Sequence, residues 1–269
     1  MQTNNKFNHK ASAAFRGTAG PTNGFDFQIS GEQTPCLKVI LDPGKTFITE
    51  SGALLSKASE IEMSTIFGDG TNEGGFFAKG WKALKRSVSG ESLFMNTFNN
   101  AAADRKTLTI ATPIPGEIFA VKLSDVDNEL ICQRGSFLAA PMGVDIDVYL
   151  QKKIGFGLFG GEGFVMQKIT GDDWVFLNGG GNIHTHELKA GETLDVDTSC
   201  LVATTKDVEM NIKTQGIKNA LFGGEGLFLA ELKGPGTVWV QTMPFSRLAG
   251  TIGNAIRPMI RDEARRFSK

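Results

Sequence analysis

The chain has 269 residues, 41% of them hydrophobic, and its 28 basic and 29 acidic side chains leave a net charge of −1. This is the balance of an ordinary globular protein. It gives no global attraction to nucleic acid or anionic lipid, so any such binding must come from local patches. No apolar stretch approaches the roughly 20 residues a membrane-crossing helix needs, and Cys36, Cys132 and Cys200, odd in number and far apart, read as reduced thiols.

Residues 1–24 are rich in Asn, Ser, Thr, Gly and Ala, and no compact apolar run of the kind secretion requires is present. They read as a disordered N-terminus; a transit peptide would carry more than the single Arg16. From residue 25 the pattern becomes that of strands. Val144-Asp145-Ile146-Asp147-Val148 and Leu194-Asp195-Val196-Asp197 alternate apolar and acidic residues, so one face of each is buried and the other wet. Phe164-Val165-Met166, Trp174-Val175-Phe176-Leu177 and Thr237-Val238-Trp239-Val240 are short runs rich in β-branched and aromatic residues. Pro43-Gly44, Thr170-Gly171-Asp172-Asp173, Gly179-Gly180-Gly181-Asn182 and Gly234-Pro235-Gly236 punctuate them with turns. No long amphipathic helix separates the strands, which excludes a parallel α/β sheet and predicts an all-β protein.

A motif recurs along the chain: Phe159-Gly160-Gly161-Glu162-Gly163, then Phe222-Gly223-Gly224-Glu225-Gly226, with a weaker copy at Ser89-Gly90-Glu91-Ser92. Each follows an apolar-acidic-apolar triplet. From Glu62 to Glu91 the separation is 29 residues, from Asp147 to Glu162 it is 15, and from Glu209 to Glu225 it is 16. Upstream, Leu41-Asp42-Pro43-Gly44-Lys45-Thr46 matches Leu188-Lys189-Ala190-Gly191-Glu192-Thr193, each starting 21 residues before its acidic residue, Glu62 or Glu209. The middle copy of that turn has degenerated to Leu123-Ser124-Asp125-Val126. The spacing predicts three β units, over 25–120 (with an insertion at 66–86), 121–187 and 188–245, followed by an amphipathic helix over 246–269.

The glycine-rich motif lacks the Gly-Lys-Ser/Thr ending of a phosphate loop and is followed by strand rather than helix. Gly90 and Glu91, Gly161 and Glu162, and Gly224 and Glu225 therefore read as structural bends, with the glutamate bonding backbone amides. The segments just before these bends combine cations with apolar groups. In the insertion, Phe77, Trp81 and Leu84 stand at i, i+4 and i+7, among Lys79, Lys82, Lys85 and Arg86 and next to Phe76. The later copies have Phe156 and Phe159 after Lys152 and Lys153, and Phe222 after Lys218. A short basic amphipathic helix suits an anionic membrane surface or a groove on a partner, and a capping turn with solvated lysines is the plainer alternative. Three such loops on one face would form an apolar, basic-rimmed interaction patch.

His184-Thr185-His186 places two imidazoles on one strand face, the only hint of a metal site, and a carboxylate such as Glu187 or Asp197 would have to complete it. Two surface histidines explain the pair as simply. No catalytic constellation and no cofactor motif is visible. At the C-terminus, Ile252, Ile256, Met259, Ile260 and Phe267 recur at helical spacing around six cations between Arg247 and Lys269, with Pro258 as a break or kink. Docking of this helix on the body is the base expectation, with a partner or membrane contact as the alternative.

The string Phe159-Gly160-Gly161-Glu162-Gly163, the Gly179-Gly180-Gly181 turn and Leu188-x-x-Gly191-Glu192 with Val202-Ala203 resemble the altered-inheritance-of-mitochondria family. The resemblance spans about 30–245. It implies tandem TRAP-like β units, short relatives of the double-stranded β-helix that assemble in rings, and it brings no catalytic residues. Mitochondrial relatives are linked to inner-membrane organisation. The expected function is a non-enzymatic, homo-oligomeric scaffold that docks a membrane surface or protein partner through its Phe/Gly/Lys loops, in a bacterial cytoplasm or at the membrane surface rather than in mitochondria. A ring that binds a small ligand or RNA is the alternative, and a metal-dependent enzyme the third. The acidic strands argue against nucleic acid.

Overall fold

The computed structural model describes residues 18–19, 23–66, 95–152, 164–215 and 227–267. Among them, strands follow one another in a repeating order of six. The first unit has β1 (Thr18–Ala19) and β2 (Phe25–Ser30) as additions to β3 (Cys36–Leu41), β4 (Thr46–Glu50), β5 (Leu54–Lys57), β6 (Ile61–Ile66), β7 (Met95–Asn100) and β8 (Lys106–Ala111). The second has β9 (Gly116–Lys122), β10 (Glu129–Gln133), β11 (Phe137–Pro141), β12 (Asp145–Lys152), β13 (Phe164–Thr170) and β14 (Trp174–Gly180). The third has β15 (Ile183–Leu188), β16 (Thr193–Asp197), β17 (Leu201–Thr205), β18 (Glu209–Gln215), β19 (Leu227–Lys233) and β20 (Gly236–Gln241), and the helix α1 (Phe245–Phe267) ends the chain. The protein is all-β with one C-terminal helix, as the alternation predicted. By this order the second and third units open at Gly116 and Ile183, a few residues before the boundaries drawn from sequence.

Within each unit the pairing is the same and antiparallel. The first strand pairs the sixth, which also pairs the third; the second pairs the fifth, which also pairs the fourth. The matched turns fall between first and second strands, with Gly44 (φ +73°) and Gly191 (φ +79°) in the left-handed region. In the degenerate middle copy Leu123–Val126 is a single 3₁₀ turn, and Asp127 and Asn128 take the positive φ values instead. The acidic triplets open the fourth strand of each unit. The glycine-glutamate bends, 90–91, 161–162 and 224–225, lie outside the described residues, in each case between fourth and fifth strands.

Units are joined through sheets. Sheet I is β1-β2-β3-β8-β5. Sheet II, β6-β7-β4-β11-β14-β9, merges halves of the first and second units; sheet III, β12-β13-β10-β17-β20-β15, merges halves of the second and third. Sheet IV is β16-β19-β18. Period-2 alternation then sends each merged sheet into two cores. Phe47, Ala139 and Phe176 of sheet II join one cluster with Phe27, Val39 and Leu108 of sheet I, while Ile48, Ala140 and Val175 join another with Cys132, Ala203 and Trp239 of sheet III. Ile131, Leu201 and Val238, on the opposite face of sheet III, pack on Val196, Ala230 and Leu232 of sheet IV. The result is four stacked layers with three cores between them. At about 10 Å per layer, sheets I and IV stand roughly 30 Å apart.

The junction of the second and third units depends on glycine. Gly180 donates its N–H to Gln241 Oε1 (2.7 Å), and a Cβ at Gly180 would lie 2.0 Å from the Met243 carbonyl oxygen, a backbone atom with no flexible escape. Gly180→Ala is expected to lower stability by about 2 kcal/mol, the ordinary cost of overpacking, measured as a shift of the urea midpoint with an unchanged slope.

Candidate functional site, the two terminal sheet edges

Unit-to-unit joining always uses the same two edges. The third strand of one unit pairs with the second strand of the unit before it: β11 with β4, and β17 with β10. The chain therefore ends with one of each left over. Among the described residues, β5 pairs only β8 and β16 pairs only β19, and the two lie in the outermost layers.

A bulge locates the corresponding residues. In all three third strands the register with the sixth strand slips at one position, between Leu54 and Ser56, between Phe137 and Ala139, and between Leu201 and Ala203. The residues at the slip are Leu55, Leu138 and Val202. Leu138 and Val202 are 0% exposed, each in the core of the preceding unit, whereas Leu55 is 60% exposed. The same register aligns Lys57 with Ala140 and Thr204, and the second strands, opening at Thr46, Glu129 and Thr193, align Asp195 with Ile48 and Ile131. At the internal junctions Ala140 faces Ile48 and Thr204 faces Ile131. At the free edges these apolar or neutral positions hold a cation and an anion. Lys57 Nζ donates to the Ile61 carbonyl (2.7 Å), and Asp195 lies opposite Glu231, whose carboxyl the Lys213 ammonium holds below the usual carboxylate range.

The remaining sequence-derived candidates divide sharply. Phe76, Phe77, Trp81, Lys82, Lys85, Phe156, Phe159 and Phe222 lie outside the described residues. His184 and His186 are exposed on β15, opposite Val240 and Val238. The carboxylates that a metal would need are engaged elsewhere. Glu187 accepts from Thr237 Oγ1 (3.0 Å), and Asp197 accepts from Ser199 N (2.9 Å) and Arg247 Nη2 (3.4 Å). Among the described residues no three potential metal ligands cluster. A groove of about 810 Å³ opens where the units meet, lined by Ile29, Gln33, Pro115, Glu117, Asn182 and Met243. Asn182 Nδ2 donates to Glu117 Oε1 (3.3 Å), and with Glu32 on the same rim the groove is unsuited to anions.

Several polar side chains are buried, and one of them, Gln167, is left without a hydrogen bond. Gln167 is 1% exposed on β13, opposite Cys132, and its carbonyl and amide both lack a partner among the described residues. An unmade buried hydrogen bond costs about 1–3 kcal/mol. Gln167→Met, nearly equal in volume, is expected to stabilise by about 1 kcal/mol and raise Tm by about 3 °C, read by calorimetry.

The fold thus defines a class: a tandem antiparallel β-sandwich protein whose units share sheets and whose end edges match its internal joins. Its family follows from comparison with known proteins. The family model "Mitochondrial biogenesis AIM24" matches residues 27–243, and the chain belongs to that family. A Streptococcus pyogenes protein solved by X-ray crystallography in a structural genomics programme shares the fold, with a TM-score of 0.66 at 22% identity, over 86% of this chain and 99% of that one. No curated protein matches the chain. The resemblance read from the glycine-glutamate strings and the Leu188 turn is borne out.

Proposed function

We propose that this protein is a non-enzymatic scaffold whose copies join head to tail, β16 of one pairing with β5 of the next. The observation that carries this reading is Leu55. It occupies a position buried at both internal junctions and is itself exposed at the edge of sheet I. A neighbouring copy offers the environment that Leu138 and Val202 already have, against the core beneath sheet IV. The join would complete a merged sheet of the kind already present in sheets II and III, and it sets Lys57 opposite Asp195. Such a contact is heterologous, and it closes into a ring if the rotation per copy divides a full turn. The Phe/Gly/Lys segments, which lie outside the described residues, fall between the fourth and fifth strands of every unit in the sequence, and on this reading they supply the docking surface for a membrane or protein partner.

Mass photometry of the full chain tests the assembly. Discrete multiples of 28.9 kDa are expected at sub-micromolar concentration, collapsing to single chains in Leu55→Asp. A wild type that stays a single chain would overturn the reading.

A further inference from the structure

From Ala249 to Arg257 the helix α1 does not dock along the body. Its base is tied by Arg247, which donates to the Thr242 carbonyl (3.3 Å) and to Asp197 Oδ2 (3.4 Å), and every residue from Ala249 to Arg257 is exposed. Phe245, Ile252 and Ile256 are 63%, 50% and 43% exposed. At about 100° per residue, Phe245, Leu248, Ala249, Ile252, Ala255 and Ile256 occupy one arc of about 120°. Arg247 and Arg257 lie across from it, and the register carries positions 261 and 265, both arginine, to the same side. The first acidic residue is Asp262. The helix continues through Pro258, without the break that the sequence suggested, although proline cannot bond the Asn254 carbonyl.

We infer that α1 is an interfacial anchor that lies on an anionic phospholipid surface, its apolar arc among the acyl chains and its arginines at the headgroups. Three features of the helix select this occupant. The opposed faces set the apolar arc against a polar face, with Thr251 and Asn254, whose only charges from Phe245 to Arg257 are the cations Arg247 and Arg257, which matches both layers of such a surface. A second copy of the helix would want a narrow a/d seam flanked by charges of both signs, and α1 has a wider arc flanked by one sign. Gly250, Gly253 and Pro258 make the segment a weak helix former in water, so a surface that takes up the apolar arc also stabilises the helix. No helix among the described residues is long and apolar enough to cross a membrane, so α1 lies on the surface rather than through it. The inference deepens the scaffold reading by naming the surface, and rests on it only for avidity: each joined copy adds one more helix.

Co-sedimentation of the full chain with extruded vesicles tests the anchor, using phosphatidylcholine alone and with about 30% phosphatidylglycerol. Wild type is expected to bind the anionic vesicles about tenfold more than the neutral ones. Ile252→Ser with Ile256→Ser should lose about tenfold of that binding while the mass-photometry distribution stays unchanged. Arg257→Glu should weaken binding to anionic vesicles alone. Wild-type binding in the double variant, or no preference for anionic lipid, would overturn the anchor. So would loss of assembly in the double variant, because that result puts the helix between copies. Leu55→Asp separates the two readings: single chains that still prefer anionic vesicles, more weakly, support both. If wild type itself proves to be a single chain, the assembly reading fails while the preference for anionic vesicles, and its loss in the double variant, still supports the anchor.

Discussion

Leu55→Asp is expected to abolish the proposed assembly, raising the dissociation constant of each junction by at least about a hundredfold. The wild-type leucine is exposed in the single chain and would become buried in the join, which yields about 2 kcal/mol. Aspartate forfeits that gain and brings a charge into a core position, where desolvation adds a larger cost. The substitution leaves the single chain nearly unharmed, since a residue 60% exposed has little packing to lose. That asymmetry makes the variant informative. A melting curve close to wild type, with loss of the larger species in mass photometry, assigns the effect to the edge. Charge exchange checks the register independently. Lys57→Asp and Asp195→Lys each place like charges opposite one another and weaken the join, and the double exchange restores it. If the singles assemble as well as wild type, the two residues do not face each other and the register is wrong.

The edges also show where sequence reasoning reaches and where it stops. The repeat was legible because its markers are local. Gly44 and Gly191 take the same left-handed conformation for the same turn, and the triplets at Glu62, Asp147 and Glu209 open the same strand in each unit. Period-2 alternation announced the strands for a similarly local reason. What covers a strand's outer face is not local. Leu55 is one apolar residue in a four-residue strand, and only the shared bulge identifies it with Leu138 and Val202. Asp195 and Asp197 read alike as solvated acids, yet Asp197 caps Ser199 and holds Arg247 while Asp195 lies on the free edge. Gln167 and Glu50 were invisible in sequence because burial of a polar residue depends on which sheet is stacked above it. The helix was legible as amphipathic from its spacing. Its lack of cover was not, because exposure is decided by where the third unit ends.

Glu50→Gln is expected to stabilise the protein at alkaline pH and to remove the slope of stability with pH between about 5 and 8. Glu50 closes β4 at the junction of the first two units. Burial pushes its carboxyl up from 4.5 to about 7, against the partial relief of the Arg134 guanidinium. Between those two values the folded chain holds a proton that the unfolded chain has released. Stability must therefore fall as pH rises through this window. The loss is complete above about pH 8 and amounts to roughly 3–4 kcal/mol, from about 2.5 pH units at 1.4 kcal/mol each. Below pH 4.5 both states are protonated and the glutamate costs nothing. Carboxylates with the opposite shift do not confuse the window: Glu60, held at about 2 by Lys106 and Ser59, adds a stability that is lost only as pH falls below about 4.5. The Cys132 thiol, raised by burial and by the nearby Glu50, stays neutral throughout. Glutamine keeps the shape and hydrogen-bonding capacity of a protonated glutamate and does not ionise. Urea unfolding should therefore give similar midpoints for the two proteins at pH 4.5 and a clearly higher midpoint for Glu50→Gln at pH 8. Equal midpoints at both pH values would mean that Glu50 ionises without cost at the unit junction, and that water reaches it there.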